Sequence, residues 1–290
     1  MLVLGCGYVG EKLAMACIKQ GIQVMGATRS ETRAVELQKL GIETIVVSSP
    51  DEFSDDILAS FDAVVDSIPL TRSEPGSHAS QCNWLPLLVP KLAHLKWAGY
   101  LSTTGVYGDA GGAWVDESTL CKPASERGSE RLKAEKAWLD SGLPAEVFRL
   151  AGIYGPERNI ASKLMAGGYK AVRWQPDHWS NRIHVDDIVA VLLAAIRSPR
   201  AGRIVNVADD EPLPHADYVS ELAEMVGAPK PVILSPEQGE KELSSSMLDF
   251  FRDSKRISNR LMHDELLSEL NYPSFRSAFG ASHSRFDSLS

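Results

Sequence analysis

The opening of the chain constrains it most. An apolar triplet, Leu2-Val3-Leu4, runs straight into Gly5-Cys6-Gly7-Tyr8-Val9-Gly10, and an amphipathic stretch follows, with Val9, Leu13, Ala16 and Cys17 at helical spacing and Gly21 placed to stop it. A G-x-G-x-x-G set between strand and helix has a mechanical meaning. Gly5 allows a tight turn, Gly7 lets a diphosphate approach the backbone and Gly10 lets helix pack on strand, while free N–H groups at the helix start face the anion. With a second apolar run at 22–27 the segment makes one β-α-β unit, and a dinucleotide site is expected, with Gly5, Gly7, Tyr8, Val9 and Gly10 on its phosphate side. A purely structural turn is the alternative.

Short apolar runs at 2–4, 22–27, 42–47, 63–68, 99–102 and 145–149 alternate with amphipathic segments, which predicts an α/β fold around a doubly wound parallel sheet of Rossmann type. After Tyr154-Gly155-Pro156 the pattern becomes irregular. Residues 1–154 are therefore expected to form the dinucleotide-binding domain, and 155–182 with 208–280 a smaller C-terminal substrate lobe. The chain returns to the first domain at about 183–207, through a helix at 186–196 that carries two aspartates at its positive end and a strand at 204–207. Further helices are expected at 218–226 and 264–270, and the serine-rich end, 281–290, is expected to fray.

Composition narrows the function classes. Thirty Lys and Arg against 38 Asp and Glu leave a net charge of −8, so no global positive field exists to hold a polyanion, and no nucleic-acid partner is expected. Cys6, Cys17, Cys82 and Cys121 match neither a zinc spacing nor a Cys-x-x-Cys redox pair and read as reduced thiols. The seven histidines are scattered, and no metal site is expected. No apolar run approaches the roughly 18 residues of a membrane span, so a soluble, cytoplasmic protein without membrane contact is expected.

The end of the second strand bears on which dinucleotide binds. A carboxylate about 20 residues past the glycines would hydrogen-bond the ribose 2′-hydroxyl of NAD. This chain instead has Thr28-Arg29-Ser30, with Arg33 one turn later. A 2′-phosphate brings roughly −1.5 to −2 charges, which Arg29 would pair with bidentately. NADP is thus expected over NAD. The plainer alternative makes Arg29 and Arg33 solvated residues of a helix start, with Ser30 as its N-cap.

Further along, Leu101-Ser102-Thr103-Thr104-Gly105-Val106-Tyr107-Gly108 resembles the extended short-chain dehydrogenase/reductase family, of the NAD-dependent epimerase/dehydratase type. Four other stretches agree: 123–135, 149–156 (RLAGIYGP), 182–187 (RIHVDD) and 205–207. The resemblance implies a first domain that holds the dinucleotide, a smaller lobe that holds a small-molecule substrate, and a cleft between them. It adds Ser67, Ile68 and Tyr154 as cofactor-side candidates and implies a homodimer through two helices of the first domain.

Chemistry in that family depends on Tyr-x-x-x-Lys on a helix and a Ser or Thr at the preceding strand end. Thr103 takes the hydroxyl position. Aligning Pro123 and Ala134-Glu135, however, puts Arg127 where the tyrosine belongs and Arg131 where the lysine belongs. This pattern is similar to the atypical YeeZ-like subgroup. Arginine keeps its proton at any physiological pH, so Arg127 cannot exchange protons as a phenol does. The catalytic candidates are accordingly Thr103, Arg127, Arg131 and Tyr107, the last as a displaced proton donor or else a packing aromatic. At i and i+4 on one helix, the two arginines face the same way and could clamp an anionic substrate group; otherwise they form a surface ladder, Arg131 with Glu135 and Arg127 with Glu130. A literal Tyr-x-x-x-Lys at Tyr8-Lys12 lies inside the phosphate loop and is a decoy.

Three more features have two readings each. Tyr154 borders the nicotinamide or packs. His184 is a titrating group or a hydrogen-bonded structural histidine. Trp174, His178 and Trp179 stack on a planar substrate group or fill the lobe core. An NADP-binding oxidoreductase acting on a small hydroxy or oxo compound is the leading expectation; a non-catalytic dinucleotide sensor is the alternative.

Overall fold

The computed structural model describes residues 1–72, 77–244, 248, 251 and 253–280; the expected fraying of 281–290 lies outside that range. Its central sheet has seven strands: β1 (Leu2–Leu4), β2 (Met25–Thr28), β3 (Glu43–Val46), β4 (Ala63–Asp66), β5 (Trp97–Thr103), β6 (Ala145–Leu150) and β7 (Ile204–Val207). All pair in parallel, in the lateral order β7-β6-β5-β4-β1-β2-β3. The order reverses between β1 and β4, and a doubly wound sheet opens a crevice at its carboxyl edge at such a point.

Strands buried on both faces read as largely apolar runs; β1 does so throughout, and β6 is buried throughout but carries the paired charges Glu146 and Arg149, because helices cover the sheet on either side. On one face lie α1 (Tyr8–Lys19), α2 (Glu31–Lys39) and, much later in the chain, the helix Val185–Arg197. The other face is covered by α3 (Gln81–Leu88) and α4 (Glu126–Leu139), whose Trp84 and Trp138 meet edge to face at 6.0 Å. With α3 and α4 placed, Val185–Arg197 becomes α5 and His215–Met225 becomes α6.

Two buried carboxylates tie the sheet together. Glu146 on β6 accepts from the Trp97 indole N–H at 2.9 Å, the Arg203 Nε–H at 2.7 Å and the Arg200 amide at 2.8 Å. Asp66, at the end of β4, accepts from the Trp138 indole at 2.9 Å and the Ile68 amide at 2.9 Å, and burial raises its pKa.

Residues beyond Tyr154 gather around a separate apolar cluster that includes Tyr154, Leu164, Tyr218, Leu222 and Phe275. We take this cluster as the core of the smaller lobe. Ser254 joins it to the sheet domain. Its amide donates to Asp109 at 2.9 Å and its hydroxyl to the Asp177 carbonyl at 2.9 Å, while its carbonyl accepts from Ala110 and Gly112. The helix expected at 264–270 lies instead at Arg260–Glu265. The chain turns away there because His263 Nδ1 binds the Leu267 and Ser268 carbonyls, and the Asp187 carboxylate captures the Asn271 and Tyr272 amides.

Candidate active site

The glycine loop lies at the crevice between β1 and β4. Gly5 has φ +69°, and a Cβ there would lie 2.8 Å from the Ile68 Cα. A Cβ on Gly10 would meet Val3 Cγ1 at 2.9 Å, which is the helix-on-strand contact expected of the third glycine. Gly7, by contrast, has only the Gly5 carbonyl near its Cβ position, at 3.7 Å, and so leaves the start of α1 open to a ligand. Left-handed backbone costs an L-residue roughly 1–2 kcal/mol, and the Ile68 backbone cannot yield cheaply. Gly5→Ala is therefore expected to destabilise by at least that amount in urea unfolding; a variant as stable as the parent would remove the cradle.

The cradle fits a dinucleotide's diphosphate: open amides at a helix start, with a cleared floor beneath them. Val9 is buried below it, and the Tyr8 hydroxyl donates to the Pro156 carbonyl at 2.7 Å. Ser67 completes the floor by donating its amide to the Leu4 carbonyl at 2.9 Å.

At the end of β2 the two arginines part company. Ser30 caps α2, accepting from the Arg33 amide at 3.2 Å, as the plainer alternative holds. Arg33 itself lies over the loop. Its NH2 group meets Glu11 at 2.6 Å, its NH1 group meets Glu36 at 2.9 Å, and its Nε donates to the Cys6 carbonyl at 3.4 Å. Its charge is thus shared with two carboxylates. Arg29 is exposed and pairs with no carboxylate among the described residues. Thr28 accepts from the Ser30 amide at 3.2 Å.

Across the crevice, Thr103 ends β5, and its Oγ1 accepts from the Gly105 amide at 3.2 Å, which leaves the hydroxyl proton to donate elsewhere. Arg131 turns inward from α4. Its NH1 group donates to the Ile68 carbonyl at 3.2 Å and to the Tyr100 hydroxyl at 2.9 Å. Arg127, one turn earlier, is exposed. The alternative ladder does not form, because both carboxylates have other work. Glu130 accepts from the Ala79 amide at 3.0 Å and pairs with Lys133 at 2.5 Å, and Glu135 is buried against Arg149 at 2.8 Å.

Glu135 and Arg149 anchor a buried chain of polar contacts that sequence inspection missed. The Ser102 hydroxyl donates to Glu135 at 2.6 Å; Arg149 donates to the Tyr107 hydroxyl at 3.0 Å; that hydroxyl donates to Asn206 at 2.8 Å; and the Asn206 amide donates to Glu117 at 2.7 Å. Burial pushes the Tyr107 phenol up to about 12. With both bonds committed inside the core, Tyr107 is the packing aromatic and not a displaced proton donor. The usable signal was a charged residue at each end of an apolar strand, Glu146 and Arg149 in Ala145–Leu150.

The remaining candidates also resolve toward packing. Tyr154 turns its ring into the lobe, edge-on to His184 at 5.2 Å and stacked near Phe279 at 6.4 Å, so its side chain does not border the crevice. His184 caps α5, accepting on Nδ1 from the Asp186 amide at 3.2 Å. Trp174 and His178 pack against Phe251 at 5.7 and 5.0 Å, and Trp179 lies under the Arg256 guanidinium at 4.7 Å.

This arrangement has known counterparts. A structure of a functionally unknown conserved protein from Silicibacter pomeroyi DSS is 34% identical, with a TM-score of 0.88, over 98% of this chain and 97% of that one. Another structure, provisionally assigned as an NAD-dependent epimerase/dehydratase from Methylobacillus flagellatus, is 25% identical with a TM-score of 0.70, over 99% and 98% of the two chains. The chain belongs to the NAD-dependent epimerase/dehydratase family of short-chain dehydrogenase/reductases. Protein YeeZ of Escherichia coli strain K12 is 29% identical to this family member over 281 residues, 93% of this chain and 95% of its own. No family model matches the sequence. On the α4 side, Arg131 reaches the Ile68 carbonyl and the Tyr100 hydroxyl, and Arg127 is exposed.

Proposed function

We propose that the protein is an NADP-dependent, epimerase/dehydratase-like oxidoreductase that acts on a small hydroxy or oxo compound, of sugar type or otherwise anionic, with arginines in place of a Tyr-Lys pair. One observation carries this reading: the Ile68 segment that floors the Gly5 cradle also receives Arg131 from α4. That shared segment supports reading the diphosphate end of the crevice and the α4 side as one site. The NAD-dependence attached to the Methylobacillus flagellatus relative supports a nicotinamide dinucleotide, and exposed Arg29 without an acidic neighbour in Thr28-Arg29-Ser30 supports NADP.

A bound nicotinamide supplies hydride transfer. The chain's own part is positioning and charge. Thr103 donates its hydroxyl proton to the reacting oxygen, Arg127 places positive charge beside a developing oxyanion, and the balancing proton comes from substrate or water. Loss of one such donor costs roughly 10²-fold or more in rate. NADPH oxidation by the purified protein over a panel of carbonyl compounds should thus be detectable and should fall by about that factor in Thr103→Val. Equal rates in parent and variant would remove Thr103 from the chemistry.

A second reading, a dinucleotide-binding sensor without turnover, is favoured by the burial of the nearby phenols: Tyr100 and Tyr107 both have their hydroxyls engaged by arginines. Under that reading NADP raises the melting temperature, no carbonyl is reduced, and Arg127→Tyr creates no activity.

A further inference from the structure

A guanidinium from the smaller lobe stands beside the start of α1. Residues Gly155-Pro156-Glu157-Arg158 form a turn, closed by the Arg158 amide on the Gly155 carbonyl at 3.1 Å and the Gly155 amide on the Arg158 carbonyl at 3.0 Å. Glu157 adopts φ +64° to make it, a left-handed backbone that glycine would take more readily. The turn is fastened to the glycine loop on two sides. Tyr8, the first residue of α1, donates its hydroxyl to Pro156, and a Cβ on Gly155 would lie 2.7 Å from both the Tyr8 hydroxyl and Val185 Cγ1. The result is that the Arg158 guanidinium carbon sits 5.6 Å from the Tyr8 ring centre.

Arg158 is exposed and pairs with no carboxylate among the described residues. Three acidic groups act on the same tyrosine: Asp186, Glu157 and Glu11. Glu11 is neutralised by Arg33 at 2.6 Å; Asp186 lies 3.7 Å from His184, whose Nδ1 accepts from the Asp186 amide and so brings no charge to offset it. Arg158 is thus a cation without a carboxylate partner among the described residues, beside the Tyr8 and Val9 amides at the start of α1; the Gly7 amide is already bonded to the Gly5 carbonyl at 2.6 Å. A flexible arginine held over an aromatic face in this way is pre-organised for a bidentate anion.

We infer that Arg158 is a cofactor-binding residue, whose guanidinium pairs with the dinucleotide's diphosphate from the side of the smaller lobe. This rests on the dinucleotide reading above. It also gives the smaller lobe a direct contact with the cofactor, so that binding draws the two parts of the molecule together through Tyr8 and Arg158.

Calorimetric titration of the full chain separates the possibilities, with NADP, NAD and adenosine 2′-monophosphate as probes, the last lacking a diphosphate. Arg158→Gln should weaken NADP and NAD alike, by roughly tenfold or more for a lost charge-assisted bond, and leave adenosine 2′-monophosphate within about twofold. Arg29→Gln should do the reverse, weakening NADP and adenosine 2′-monophosphate and sparing NAD. Because Arg158 is exposed, its variant should melt with the parent in the absence of ligand. Unchanged NADP affinity in Arg158→Gln, or an equal loss for the probe without a diphosphate, overturns the inference while leaving the cofactor reading intact. A parent protein that takes up no dinucleotide at millimolar concentration overturns both.

Discussion

Glu135→Gln should destabilise the fold by about 3–5 kcal/mol, the cost of leaving one member of a buried ion pair without its partner. Arg149 and Glu135 keep only 4% and 2% of their side-chain surface exposed, and Arg149 directs both its Nε–H and NH2 groups at that single carboxylate. Removing the charge strands a guanidinium among β5, β6 and α4, where no water can replace it. Urea unfolding at neutral pH measures the loss, and a melting temperature lower by on the order of 10 °C should accompany it. Replacing both members together, Glu135→Leu with Arg149→Met, should cost less than the single change, since two apolar side chains of similar volume leave no orphaned charge. A loss below about 1 kcal/mol for Glu135→Gln would mean the pair is dispensable. The consequence extends to the crevice: Ser102, bonded to Glu135, precedes Thr103, and Arg131 lies one turn earlier on the same helix.

Asp209→Asn should change how stability varies with pH. Asp209 follows β7, is 2% exposed, and has one carboxylate oxygen without a hydrogen bond among the described residues. Burial lifts its pKa to about 7, although Arg182 acts in the opposite direction. The unfolded value is about 3.9. A carboxyl whose proton is held more tightly in the folded state favours folding fully below that unfolded value. The benefit drains away as pH rises from about 4 to about 7, by at most roughly 1.4 kcal/mol per unit, and is then constant. His178 and His215 act in the other sense. Burial lowers both to about 4, so their contribution is present above the unfolded histidine value and is lost as pH falls. Comparing parent with Asp209→Asn isolates the carboxyl. Urea unfolding at pH 5 and pH 8 should show the variant gaining on the parent by a few kcal/mol at the higher pH. A difference that stays constant across that range would show that Asp209 ionises normally.

The sheet was legible in the sequence because parallel strands covered on both faces are predominantly apolar, and the six runs plus the returning segment at 204–207 each fall on an observed strand. Ends were less legible. The second strand begins at Met25 and not at 22, since Ile22 is consumed in closing α1, its amide bonded to the Cys17 carbonyl at 3.0 Å. The fifth starts earlier than expected, at Trp97, whose indole N–H finds Glu146. For the site, glycine spacing conveyed the cradle well because the steric demand is local: Gly5 against Ile68, Gly10 against Val3. Partner choice was not local. Arg33 looked free until Glu11, 22 residues away, claimed it, and Tyr107 looked available until Arg149 and Asn206 did. Arg158 carried no motif; only the turn at Glu157 and the approach of Tyr8 distinguish it from any surface arginine.

The placement of Glu146 has a consequence for the order of assembly. β6 is complete at Leu150, but Arg203, its buried counter-ion, arrives only after about fifty more residues have been synthesised. A nascent chain that has emerged no further than β6 therefore carries an uncompensated carboxylate on its outermost strand. Docking of that strand against β5 is electrostatically disfavoured until the smaller lobe's first segment has been made and the chain has come back. The last edge of the sheet, β7, can be added only after residues 151–203 have been made.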